Sequence, residues 1–194
     1  MNQGLERRAT VARLLADRGA TLVVTGLGSS TYDVYAAGDH ERNFYLWGAM
    51  GGAAVMGLGL ALARPQEPVL VVTGDGEALM ALGAFATIAG QAPRNLSVVV
   101  LDNAQYGETG AQASHTRHLD LAAVAQACGI AETMRVGDDS ALARLAGRVH
   151  RIGDGPMVAV VRIAAGSAPR AIPVRDSAWV KGRFRLALGL AVDS

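Results

Sequence analysis

Short runs of β-branched and other apolar residues occur at 21–25, 43–47, 69–73, 96–101 and 157–163, with a weaker run at 133–136. Between them lie stretches that read as helices, at 5–16, 31–37, 50–63, 78–90, 119–128 and 140–150. Near-continuous apolar runs of this length read as strands buried on both faces, and their alternation with helices predicts βαβ crossovers. The expected fold class is α/β, with a doubly wound, mainly parallel sheet covered by helices on both faces. In such a sheet ligands bind beyond the carboxyl ends of the strands, so the loops 26–30, 74–77 and 102–110 are expected to share one rim. Residues 1–194 read as a single domain. The stretch 164–194, with Pro169, Pro173 and several arginines, reads as a C-terminal extension on the surface or around a neighbour.

The stretch 46–63 carries no charge, at the lower edge of the length that spans a bilayer. Its five glycines, at 48, 51, 52, 57 and 59, suit close packing inside a protein better than a lone helix facing lipid. No membrane association is expected. Apolar residues make up 51% of the chain and charged ones 18%, which excludes intrinsic disorder and points to broad buried surfaces, including surfaces between subunits. A formal charge of +1, with both signs scattered, offers no footprint for nucleic acid and points to a small-molecule ligand. The single cysteine, Cys128, falls on an apolar helical stripe with Leu121, Val124 and Ala125 and reads as a core residue. The first sixteen residues hold early arginines but no apolar signal block, so a cytoplasmic location is expected.

Candidate chemistry begins where the run 69–73 meets Gly74-Asp75-Gly76. Glycines let the backbone approach an anion, free amides at a helix start donate to phosphate oxygens, and a carboxylate there can hold Mg²⁺ between them. Gly-Asp-Gly also makes ordinary turns. The reading gains weight from Asp102-Asn103, which follow the next buried run and would bring the Asn103 amide oxygen beside Asp75 at the same rim.

This pairing resembles the thiamine-diphosphate-binding motif, with Asp-Asn in place of its Asn-Asn. The resemblance implies that Asp75 and Asn103 are side-chain ligands of Mg²⁺ and that Gln105 contributes its backbone carbonyl. It extends over the segments RNFYLWGAMGGAAVMGLGLALARP, GDGEALMALGAFATIA and LDNAQYGETGAQASHTRHLDLAAVAQACG and over Lys181-Gly182-Arg183-Phe184. These are similar to the phosphonopyruvate and sulfopyruvate decarboxylases, and among them to the sulfopyruvate decarboxylase β subunit, the diphosphate-binding half. The implied cofactor contacts are Gly28, Ser29, Gly48, Met50, Gly74, Asp75, Gly76, Glu77, Asn103, Gln105, Tyr106 and Gly107. Met50 would bend the cofactor into a V, and the Gly48 carbonyl would accept from its amino group. The implied reaction releases carbon dioxide from a three-carbon 2-oxo acid bearing a sulfonate or phosphonate and leaves an aldehyde.

The resemblance also implies an absence, since the glutamate that activates thiamine sits on a pyrimidine-binding domain for which this chain has no room. A pyrimidine-binding partner subunit, or α chain, is expected to supply that acid in a hetero-oligomer built on dimers. Candidates for proton transfer are Glu108 and His115, with His118 behind them. Glu108 lies one position from the acid of related decarboxylases and reads more simply as a solvated loop residue. Thr109, Gln112 and Ser114 form a polar stretch suited to ordering over the cofactor, and Arg117 is either an anion contact or a solvated charge. Two rivals stand beside this reading. A 2-oxo acid:ferredoxin oxidoreductase subunit passes electrons to iron–sulfur clusters, and one cysteine cannot ligate a four-cysteine cluster. A non-catalytic thiamine-diphosphate or nucleotide-binding module fits equally until a partner is found.

Overall fold

The apolar runs pair side by side in the computed structural model, which describes residues 4–166 and 168–191. In chain order the strands are β1 (Leu22–Thr25), β2 (Asn43–Tyr45), β3 (Val69–Gly74), β4 (Leu96–Asp102), the two-residue β5 (Gln105–Tyr106) and β6 (Gln112–Ala113), β7 (Glu132–Val136) and β8 (Met157–Arg162). Six of them form one sheet in the order β2-β1-β3-β4-β8-β7, every pair parallel, while β5 and β6 make a separate antiparallel hairpin. The helices are α1 (Arg7–Leu15), α2 (Ser29–Ala36), α3 (Ala53–Ala63), α4 (Asp75–Met80), α5 (Leu82–Gln91), α6 (Leu121–Ala127), α7 (Asp139–Arg148) and α8 (Ser177–Ala187).

Each strand splits its apolar side chains between two cores, because successive residues point to opposite faces. Leu22, Val24, Val69, Val71, Val98 and Val100 pack under α3, α5 and α6. Val23, Leu70, Val72, Val99 and Leu101 pack under α1 and α7. Both faces are therefore dry, and the doubly wound expectation holds. Chain order reverses between β1 and β3, so a crevice opens at that point along the carboxyl rim.

Three local features differ from the sequence reading. The helix expected over 78–90 is two helices, broken at Ala81, whose φ of −116° and ψ of 35° leave the helical region. Residues 50–52 precede α3 as a turn, with Gly51 at φ +90°. The C-terminal extension does more than lie on the surface, because α8 buries Val180 and Phe184 and sets the Phe184 ring edge-on to Phe44 of β2 at 5.5 Å. Asp176 starts that helix by accepting from the Ala178 and Trp179 amides.

Cys128 packs half-buried against the α6 side of the core. Among the described residues no helix is long and apolar enough to cross a membrane. The outward side of α3 is nonetheless apolar, with Val55 and Leu62 exposed, and exposed Met80 sits beside Gly51 just before that helix.

Candidate functional site

Strand β3 ends at Gly74 and α4 begins at once with Asp75, while Gly74 pairs with Leu101 of β4. Asp75 and Asp102 therefore leave neighbouring strands side by side, and Asn103 follows one residue later. Two Asx turns shape what comes next: the Asp102 Oδ1 accepts from the Ala104 amide at 2.9 Å, and the Asn103 Oδ1 accepts from the Gln105 amide at 2.9 Å. Ala104 takes φ +57°, and the chain turns back through β5 and β6 to deliver Ser114 and Thr116 to the same place.

Asp75 is only 3% exposed, and the Ser114 hydroxyl donates to its Oδ2. The Thr116 hydroxyl lies between the two acids, 2.8 Å from the Asp102 Oδ1 and 3.3 Å from the Asp75 Oδ2. Burial pushes the Asp75 carboxyl above its ordinary range. The Ser114 hydroxyl opposes that shift, the charge of Asp102 adds to it, and the Gly76 amide and Thr116 hydroxyl pull the other way. No basic side chain pairs with Asp75 among the described residues. A buried carboxylate beside a second carboxylate is a costly arrangement that a divalent cation would relieve. The available donors are a carboxylate, a carboxamide and backbone carbonyls, the hard oxygens that Mg²⁺ takes together with phosphate. No cluster of three or more His, Cys, Asp or Glu suited to a metal occurs among the described residues, so a cation here would depend on Asn103, main-chain oxygen and its own ligand.

Around this acid lies a cleft of about 150 Å³. Its lining includes Ser29, Met50, Gly74, Asp75, Gly76, Glu77, Asn103, Gln105, Tyr106, Gly107 and Glu108, together with Thr109. Gly76 is needed where it stands, because a Cβ there would sit 2.6 Å from the Tyr106 ring and 3.5 Å from the Met50 methyl. Gly28, Gly48 and His115 lie outside that lining. Gly28 takes φ +77° at the start of α2, and a Cβ on it would meet the Glu108 Cγ at 2.8 Å. Glu108 itself is held by the Arg170 guanidinium at 3.1 Å. His115 is exposed on a one-turn 3₁₀ helix, residues His115–Arg117.

Glu77 reaches away from the open cleft and ties its walls together. One carboxylate oxygen accepts from the Gly51 and Ala53 amides at 3.2 and 3.3 Å, and the other from the Leu27 amide at 3.2 Å and the Thr73 hydroxyl at 2.8 Å. The nearby Gly26 leaves room for this, since a Cβ there would overlap the carboxylate. Sequence reasoning did not single out Thr116 or the lining residues Arg7, Leu27 and Ser30. Thr116 sits in the polar run that begins at Ser114, which was the available signal. Nothing in the sequence marks Arg7, whose guanidinium pairs with the fully buried Asp33 of α2.

Comparison with known proteins identifies the family. The thiamine pyrophosphate enzyme C-terminal TPP binding domain matches residues 26–162. The sulfopyruvate decarboxylase subunit beta of Methanothermobacter thermautotrophicus is 39% identical over 176 residues, covering 89% of this chain and 88% of that one. The phosphonopyruvate decarboxylase of Streptomyces hygroscopicus is 43% identical over 163 residues, and this chain spans only 40% of its length. A putative thiamin diphosphate-dependent enzyme from Mycobacterium smegmatis shares the fold, with a TM-score of 0.73 at 22% identity, over 84% of this chain and 32% of that one. The parallel sheet, the Gly-Asp-Gly strand end and the matched span together establish that this chain belongs to the thiamine pyrophosphate enzyme family, as a C-terminal TPP binding domain.

Proposed function

We propose that this chain is the cofactor-holding subunit of a thiamine-diphosphate- and Mg²⁺-dependent decarboxylase acting on 3-sulfopyruvate or 3-phosphonopyruvate. The observation that carries the reading is a buried Asp75 with no basic partner among the described residues, sharing a cleft with Asn103 at the ends of two adjacent parallel strands. Thiamine diphosphate, when bound, supplies the carbon nucleophile and the electron sink for loss of carbon dioxide. Asp75, Asn103 and the Gln105 carbonyl would hold Mg²⁺, with Gly28, Ser29, Gly74, Gly76, Tyr106 and Gly107 shaping the anion's bed. Met50 projects from the turn before α3 into the cleft and would set the bend of the bound cofactor, with the Gly48 carbonyl as acceptor. Glu108 is the better placed of the two proton-transfer candidates because it lines the cleft. It must exchange its Arg170 partner to act.

A cleft of about 150 Å³ is half the lower end of the roughly 300–1,000 Å³ that encloses a small-molecule ligand. A cleft of this size would leave part of the cofactor uncovered, which supports a pyrimidine-binding partner chain that brings the activating glutamate. The subunit-beta name of the similar Methanothermobacter thermautotrophicus protein points the same way.

Calorimetric titration of the purified chain with thiamine diphosphate tests the cofactor half of this reading. Binding is expected with Mg²⁺, is lost in EDTA, and falls at least tenfold in Asp75→Ala. Affinity unchanged by Asp75→Ala or by chelation refutes the metal assignment. Carbon dioxide release from sulfopyruvate or phosphonopyruvate, seen only after adding a co-purified partner, tests the other half.

A further inference from the structure

A second, larger cleft of about 450 Å³ opens on the same carboxyl rim, on the far side of β4, between the ends of β4, β8 and β7. Its basic groups come from separate parts of the chain: Arg117 and His118 after the hairpin, Arg135 on β7 and Arg162 at the end of β8. Its floor is apolar, made by Leu121, Val136 and Val160. Asp102 and Asp120 also face it, and each pairs with one of its arginines while its other oxygen serves backbone or hydroxyl donors. Asp120 accepts from the Ala122 and Ala123 amides at 2.9 and 3.1 Å to start α6, and from the Arg135 Nε at 2.6 Å. Asp102 accepts from the Ala104 amide and lies 2.8 Å from the Thr116 hydroxyl, leaving one contact of 3.4 Å to the Arg162 Nη1.

The donors outnumber these acceptors. A guanidinium carries five N–H donors, and Arg135 and Arg162 each spend one on a carboxylate. Arg117 makes no hydrogen bond or ion pair among the described residues. Three guanidinium groups lining one cleft with an apolar lining beside them, one of the three uncommitted, match an anion whose several oxygens accept in parallel from more than one arginine. We infer that this cleft is a second ligand site, distinct from the cofactor cleft, for a small tetrahedral oxyanion: a phosphate, or the sulfonate or phosphonate group of a short organic acid. The proposal does not depend on what the first cleft binds, because Arg117, His118, Arg135 and Arg162 are absent from its lining.

Arg117→Ala is the discriminating variant, because its side chain is exposed and holds nothing else in place. Calorimetric titrations of the full chain with inorganic phosphate and with ethanesulfonate are expected to show saturable binding of at least one. Arg117→Ala should weaken it about tenfold, equivalent to ~1.4 kcal/mol, with the unfolding midpoint unchanged. Arg94→Ala, which removes a guanidinium paired with Asp154 away from this cleft, should leave affinity as it was. Tighter binding of ethanesulfonate assigns the site to an organic acid that also uses the apolar floor, and tighter phosphate binding assigns it to the free ion. No binding of either probe, binding indifferent to Arg117→Ala, or equal weakening by Arg94→Ala overturns the site.

Discussion

Replacing Glu77 by glutamine changes one oxygen for an NH₂ group at the point where three wall segments of the cleft meet. The wild-type carboxylate accepts four hydrogen bonds, from the amides of Leu27, Gly51 and Ala53 and from the Thr73 hydroxyl. Glutamine keeps one acceptor oxygen, which best serves the Gly51 and Ala53 amides. Its NH₂ then faces Thr73, whose hydroxyl can turn and accept, and Leu27, whose amide cannot. One N–H is left facing another donor, at a cost of about 1–3 kcal/mol. For a domain of this size that corresponds to a fall of roughly 2–12 °C in the unfolding midpoint. Urea unfolding, followed by circular dichroism at neutral pH, measures the free-energy change directly. A Glu77→Gln change within about 0.5 kcal/mol of wild type, the range of an ordinary surface substitution, would refute the role of Glu77 as a tie between the loops.

Gly57→Ala should destabilise by ~1–3 kcal/mol, because the new methyl would lie 2.2 Å from the Val71 Cγ2 beneath α3 and force an overpacked contact; denaturant melts check this. His150 is half buried, with its Nε2 at 2.6 Å from the Leu14 carbonyl and its Nδ1 at 2.9 Å from the Thr21 hydroxyl. Burial holds its pKa below 6.5, the Leu14 carbonyl opposes that, and the Arg18 charge reinforces it. The folded state thus binds fewer protons than the unfolded one between the lowered pKa and 6.5, so stability drops as pH falls through that window. His150→Gln should flatten this acid limb in melts between about pH 7 and pH 5, and an unchanged slope counts against it. Met50→Ala should leave stability almost untouched, since Met50 is already 39% exposed. Cofactor binding should persist while decarboxylation by the assembled enzyme falls at least tenfold, and full activity removes Met50 from the mechanism.

Much of the sheet was legible because buried parallel strands write themselves as uninterrupted apolar runs such as 69–73 and 96–101. The rim position of Asp75 and Asn103 followed from strand ends alone. What was hidden depended on contacts across the chain. Glu77 lies 50 residues from Leu27, so no local pattern reveals that its carboxylate turns back to hold that loop. The α4–α5 break at Ala81 falls in a stretch so rich in alanine, leucine and glycine that helical periodicity has no polar side to mark it. The β5–β6 hairpin has two residues per strand, below the length at which alternation can be seen. Helix α8 did leave a signal, Asp176 ahead of Val180 and Phe184 at helical spacing, but the prolines and arginines before it read as irregular.

The uncharged outer side of α3 has a practical consequence for anyone handling the polypeptide by itself. Val55 and Leu62, seven residues apart on that helix, expose large apolar side chains to water on one side of it, and Met80 does so beside Gly51. Material produced without something to cover those side chains will tend to stick to itself as it is concentrated. Its properties are therefore best measured in dilute samples.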